Sequence, residues 1–338
     1  MKYLFFALPL LVFGLLSWTS RPHTLPVVDP DTLVYEMLRG LGAPERADVM
    51  VRQVAGASAE LGERLVLEGI MAKGGKQSAH FKCTSCHNVV KEDPDLPRPD
   101  PVARLLYAEE NDLPFLPGTT LWGAVNRETY YNGDYEKKYG DLVKGARHDL
   151  RGAIQLCATE CAQGEALKPV EMESVLAYLH TIGLKISDLP IDDEEIGRIN
   201  RAIERPRGSN DGLIRDIKDR YLLASPATFV LPPEDRKVGY SVETPDLESG
   251  RMLYQKACLH CHEDQQYSFF SLSETVHDYN FLTKHFPKYT RYSTYQVSRY
   301  GTSPIPGKRA YMPHYTAERM TNQQVEDLRA YLEAGSVK

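Results

Sequence analysis

The six cysteines of this 338-residue chain fall into three close pairs. Cys83 and Cys86 stand in "CTSCH", Cys258 and Cys261 in "CLHCH", and Cys157 and Cys161 in "IQLCATECAQG". In the first two pairs the second cysteine is followed at once by a histidine, His87 and His262. C-x-x-C-H is the spacing by which two thiols add across the vinyl groups of one haem edge, while the next residue brings its imidazole under the ring as an iron ligand. A structural zinc site would need a second ligand pair, and neither motif has one beside it. The motifs therefore predict two covalently bound haem c groups, attached at Cys83/Cys86 and Cys258/Cys261, with His87 and His262 on iron. Electron transfer is the chemistry such groups supply.

Two haems need two sets of elements to hold them. Ahead of the second motif, "LESGRMLYQKACLHCH" reads as a short helix leading through Gly250, Leu253 and Tyr254 into Cys258. Further on, "TNQQVEDLRAYLEAG" offers Thr321 as N-cap and Val325, Leu328, Tyr331 and Leu332 at helical spacing. The two segments resemble the first and last helices of a class I cytochrome c domain, which implies that they pack across each other. The first half repeats the scheme, with a longer loop between "ASAELGERLVLEG" and Cys83. Its "VEMESVLAYLHTIG" carries "AYL" at 177–179 against "AYL" at 330–332. The expected fold is all-α, with tandem class I cytochrome c-like domains made by internal duplication. The chain divides into a signal peptide or N-terminal anchor (1–20), a first haem domain (21–185), a linker with some helix (186–235) and a second haem domain (236–338). The loop 118–140 is expected to cover the first haem, with Trp122 against the ring.

Each domain of this kind takes its second axial ligand from the loop before its last helix. In the second domain "RAYMPHYTAERM" supplies Met312, whose Met-Pro resembles the family pattern. Met320 stands at the helix start and reads as packing; His314 and an open site are the other readings. A thioether ligand raises the reduction potential. Aligning the two "AYL" segments sets Thr159 opposite Met312, with Cys157 and Cys161 on either side. Two readings lead for this pair. Cys157 binds the first iron as a thiolate, or Cys157 and Cys161 form a disulfide, as an even cysteine number in an oxidising compartment favours. His148 and Met172 are the remaining ligand candidates.

Around 150–180 the chain resembles the thiosulfate dehydrogenase family and the related sulfur-oxidising cytochrome subunit. The residues are "AIQLC" at 153–157, Gly164, Leu167, Glu171-Met172 and Leu176-Ala177-Tyr178. Ala153 and Gln155 stand where that family carries Arg and Asn, and Cys161 is additional. The resemblance implies a His/Cys first haem and a His/Met second haem, hence a downhill electron step from the first to the second. It also implies a catalytic Cys157 and a small anionic sulfur substrate, thiosulfate in that family. Arg147, Arg151 and Lys168 are the cations considered for such an anion, although charges of this kind are mostly solvated. A dihaem peroxidase is a third reading, and it leaves Cys157 unexplained.

Composition sets the wider frame. Hydrophobic residues make up 42% and the net charge is −6, which argues against nucleic acid as partner. A lysine at position 2 and the apolar run from Tyr3 to Leu16 read as an export signal or a short membrane tether. The expected location is the periplasm or another extracytoplasmic compartment, and the expected partner is a redox protein or a respiratory complex. From Phe281 to Arg319 seven Lys/Arg face a single acid, Glu318, interleaved with six tyrosines. This stretch reads as packing and propionate contacts around the second haem. A docking face for an acidic redox partner is the alternative.

Overall fold

The computed structural model describes residues 27–205, 208–305 and 307–337. The N-terminal apolar run lies outside them. Among the described residues no helix is long and apolar enough to cross a membrane. Regular structure there is helical, with only isolated β-bridges, so the fold is all-α.

The first half contains α1 (Val34–Gly40) and α2 (Ala59–Glu68). Ser58 accepts the Leu61 N–H at the start of α2, and Gly69 ends it in the left-handed region at φ 73°. After Cys83 come α3 (Pro101–Glu110), α4 (Asp134–Tyr139), α5 (Asp141–Lys144) and α6 (Leu150–Leu156). α6 widens at its end into a π-turn over Cys157–Cys161, and α7 (Pro169–Thr181) follows. Then come α8 (Asp193–Glu204) and α9 (Asp211–Lys218). In the second half α10 (Leu247–Leu253) runs through a π-turn, Tyr254–Leu259, into α11 (His260–His262). α12 (Val276–His285), α13 (Thr294–Tyr300) and α14 (Asn322–Gly335) complete the chain.

The duplication is visible in how the helices cross. α2 lies on α7 at Gly62, where an added Cβ would strike the Ser174 carbonyl and come within 2.9 Å of the Tyr178 Cβ. α10 lies on α14 at Gly250, where a Cβ would strike the Asp327 carbonyl and come within 2.7 Å of the Tyr331 Cβ. Tyr178 and Tyr331 are the tyrosines of the two "AYL" segments. At each crossing the missing side chain lets two backbones approach closely enough to bury Leu65 and Val66 in one domain and Met252 and Leu253 in the other.

Three cores result. The first gathers Leu65, Val66, Val125, Val175, Leu176 and Leu179. The second gathers Leu253, Tyr254, Phe286, Tyr295, Val325, Leu328 and Leu332, and takes in Leu105 of α3 and Phe115 from the first half. The two halves thus share buried surface. A third core joins Val34, Met37 and Leu38 of α1 to Leu184, Ile186, Ile199, Ile217 and Tyr221. The segment 186–235, expected to be a linker with some helix, contributes two helices to this core. Ile196, Ile199 and Ile203 of α8, with Leu213, Ile214 and Ile217 of α9, form apolar stripes set among charges, and both helices pack onto α1.

Candidate functional site

Each C-x-x-C-H motif sits at the foot of its crossing helix. In the second domain the helix runs straight into Cys258; in the first, Gly69 breaks it and a hairpin pinned at Ile70 and Lys76 intervenes before Cys83. His87 Nδ1 lies 2.7 Å from the Thr119 carbonyl, and His262 Nδ1 lies 3.0 Å from the Phe270 carbonyl. Both acceptors are backbone oxygens, so Nδ1 carries the proton and donates, and Nε2 keeps its lone pair for a metal. Burial lowers the pKa of both imidazoles, which keeps them neutral. Gly118 lets the Thr119 loop lie flat on the ring, since a Cβ there would come within 2.6 Å of His87 Nδ1.

The sulfurs suit the same group. Burial pushes the Cys83 thiol up to about 11, and those of Cys258 and Cys261 to about 12. Cys86 is raised as well, by burial and then by its neighbours Cys261 and Cys161. Such surroundings favour neutral sulfur, as in a thioether, over the thiolates that zinc selects. Among the described residues no three His, Cys, Asp or Glu converge as a metal cage. A histidine with Nε2 free behind two neutral sulfurs fits a covalently attached haem, which supplies one-electron redox chemistry when bound.

Residues 245–332 match the family model described as Cytochrome C oxidase, cbb3-type, subunit III. This is a c-type cytochrome domain. The match spans α10, the second C-x-x-C-H and most of α14, the segment in which the sequence reading found the resemblance. No curated protein and no solved structure matches the chain.

The two motifs abut. His260, between Cys258 and Cys261, lies against the backbone of Thr84 and Ser85 between Cys83 and Cys86. Cys261 Sγ lies 3.9 Å from the Ser85 carbonyl. The two motifs therefore meet across the contact between the halves.

On the distal side of the second domain Met312 is fixed by its backbone. Its N–H donates to Thr302 Oγ1 at 2.8 Å, and its carbonyl accepts the Thr302 N–H at 2.8 Å. Gly301, at φ 61°, makes room, since a Cβ there would strike the Met312 carbonyl. Met320 is buried in the second core, in keeping with a packing role. His314 is buried with its ring 4.3 Å from that of Phe229 and 5.5 Å from that of Tyr135; burial lowers it to about 4.

In the first domain the π-turn brings Cys157 and Cys161 together. The two sulfurs are not bonded to each other in this structure. The two thiols lie within electrostatic reach of each other and of Cys83 and Cys86. Cys161 is lowered, because Cys157 and the Tyr311 hydroxyl donate to it. Cys157 is raised, first by that bond and then by burial. Tyr131 and Tyr135 complete the surround. The turn is clamped from the segment just before the first motif: Gln77 Nε2 donates to the Ala158 carbonyl at 3.1 Å and to that of Glu165 at 2.7 Å, and Ser78 Oγ donates to that of Ala162 at 2.5 Å. Among the other ligand candidates, Met172 is buried in the first core and His148 is exposed.

Several expected neighbours lie elsewhere. Trp122 packs against the third core. Arg147 is paired with Glu136, and Arg151 with Glu173 at 2.5 and 2.9 Å, so both cations are already committed; Lys168 is exposed. In the basic, tyrosine-rich stretch, Arg299 donates to the Met320 carbonyl and Asn322, and the Tyr295 hydroxyl donates to Glu326. These are packing contacts, whereas Tyr289 and Tyr292 face solvent.

A buried charge cluster joins the domains behind His87. Glu92 accepts from Arg319 at 2.8 Å, Asn88 Nδ2 at 2.8 Å and Thr120 N–H at 2.8 Å. Arg319 also donates to the carbonyls of Leu116 and Gly118, at 2.7 and 2.8 Å. The second domain thereby anchors the loop whose Thr119 carbonyl orients the first domain's histidine. The sequence groups Arg319 with the second haem's surroundings; its long-range contacts to Glu92 and Gly118 set it against the first motif's loop instead.

Proposed function

We propose that this chain is an exported dihaem c-type cytochrome that passes electrons through two covalently attached haems to a redox partner. The observation that carries the reading is the repeated proximal arrangement: helix crossing at a glycine, C-x-x-C-H at its foot, and a histidine whose Nδ1 is held by a backbone carbonyl. Contact between the motifs supports direct transfer from one haem to the other. Residues His262 and Met312 would ligate the second iron. His87 and Cys157 would ligate the first, a reading supported by Cys157 lying near Cys83 and Cys86. A thiolate lowers the iron potential and a thioether raises it, so electrons would enter at the first site and leave from the second.

Low-temperature EPR of the oxidised holoprotein tests the ligand set. A low-spin signal of His/thiolate type, lost in Cys157→Ala, is expected; a bis-histidine or high-spin signal at the first haem would overturn it. Two partners follow from the family name and from the thiol pair: a respiratory oxidase, or a small sulfur anion oxidised at Cys157. Turnover of thiosulfate with an artificial acceptor separates them. The pairing of Arg147 and Arg151 with carboxylates favours the electron-carrier reading.

A further inference from the structure

We propose that the cleft between the two halves, beside both C-x-x-C-H motifs, binds a small organic polyanion, a molecule carrying two or more carboxylate or phosphate groups. The cleft encloses about 510 Å³, within the range of small-molecule sites. Its walls come from three segments far apart in sequence: the end of α2 with the hairpin after it, the residues following His262, and the loop ahead of Met312. Neither Cys157 nor Cys161 lines it, so it is distinct from the thiol pair.

Charge sets the class of occupant. Lys76, His80 and Lys82 line the cleft from the first half and Arg309 from the second, against one carboxylate, Glu68. The neighbouring Lys73 is paired with Glu165 at 3.3 Å, but among the described residues Lys76, Lys82 and Arg309 form no ion pair; Lys76 Nζ only approaches the Glu68 carbonyl, at 3.4 Å. Arg309 is held in place on two sides. Its Nη1 donates to the Gln265 carbonyl at 2.9 Å, and its Nε donates to His80 Nδ1 at 3.4 Å. Its Nη2 has no protein partner among the described residues. Because His80 accepts at Nδ1, its Nε2 carries the proton and is a further donor. A guanidinium fixed in this way loses less side-chain freedom on meeting an oxygen anion than a free lysine does. Ile70, Phe81 and Tyr267 add apolar surface, which suits a carbon skeleton between the charged groups.

The site also spans the contact between the halves. Lys82 immediately precedes Cys83, and the Tyr267 N–H donates to the Cys261 carbonyl at 2.9 Å. An occupant therefore touches the segments that carry both motifs, and its binding stabilises their contact by mass action. None of this depends on what the motifs hold.

Isothermal titration calorimetry of the oxidised holoprotein at low ionic strength tests the site, with citrate and, separately, 3-phosphoglycerate as probes. One site per chain is expected. Lys82→Gln and Arg309→Gln should each weaken binding about tenfold or more, as the loss of a charge-assisted hydrogen bond does. Glu68→Gln should tighten it, a gain that misfolding does not mimic. Lys284→Gln, an exposed cation outside the cleft, should change nothing. No heat with either probe overturns the proposal, and so do affinities that are alike across these variants. Inorganic sulfate binding as tightly as citrate would reduce the cleft to a bare oxyanion site, and a tetraglutamate peptide binding more tightly than either probe would assign it to an acidic segment of a protein partner; both overturn it.

Discussion

Replacing Arg319 by methionine should cost this protein more than any surface charge change, and should be felt at the other domain's histidine. Glu92 is buried to 2% exposure and has three donors, of which Arg319 brings the only full charge. Burial alone would raise its carboxyl, but Arg319 and Arg104 outweigh it and hold it at about 2 instead of 4.5. A shift of that size corresponds to about 3 kcal/mol of native stability at neutral pH. Removing the guanidinium strands a buried carboxylate and releases the Gly118 carbonyl, so the expected loss is about 3–5 kcal/mol. Because the folded pKa is depressed, this contribution is complete above 4.5 and disappears as pH falls through about 2. Guanidinium unfolding of the holoprotein, followed by far-UV circular dichroism, measures the loss. Glu92→Gln should flatten the stability profile between about pH 4.5 and 2. Freeing the Thr119 loop also weakens the Nδ1 bond of His87, so Arg319→Met should raise the potential of the first haem and leave the second unchanged. A loss under about 1 kcal/mol, or an equal shift of both potentials, would refute the reasoning.

Other outcomes follow from single contacts. Gly62→Ala and Gly250→Ala each press a methyl into a facing carbonyl, and should cost at least about 2–3 kcal/mol or prevent folding, as thermal melts would show. Gly301→Ala should strain the turn and displace Met312, and on the proposed ligand set it should weaken the thioether-to-ferric-haem absorption band without touching the first site. Ile199→Ala, in the third core, should lower stability by about 2–5 kcal/mol while both haem potentials stay in place.

What the sequence disclosed and what it hid have physical reasons. Covalent chemistry fixes the spacing of Cys83, Cys86 and His87 and of Cys258, Cys261 and His262, so the motifs stand out. The helix pairs are legible because Gly250 and the "AYL" tyrosines are repeated features with a fixed packing role. Carbonyls such as those of Thr119 and Phe270 leave no mark on residue type, so the proximal acceptors were invisible. The stripe of Ile196, Ile199 and Ile203 is short and embedded in charge, and was read as linker. Arg319 with Glu92, and Tyr311 with Phe81, join residues far apart in sequence, which no local pattern encodes. Trp122 packs against the third core, and its neighbour Gly123 meets Leu184, while the start of the same loop, Gly118 and Thr119, lies on His87; no local pattern separates these two halves of one loop.

The most direct check is the amount of haem that stays on the polypeptide after denaturation, measured by pyridine haemochrome against protein mass. The account expects two haems per chain in wild type, and one in the paired variants Cys83→Ala/Cys86→Ala and Cys258→Ala/Cys261→Ala. One haem in wild type, held only through Cys258 and Cys261, would contradict it.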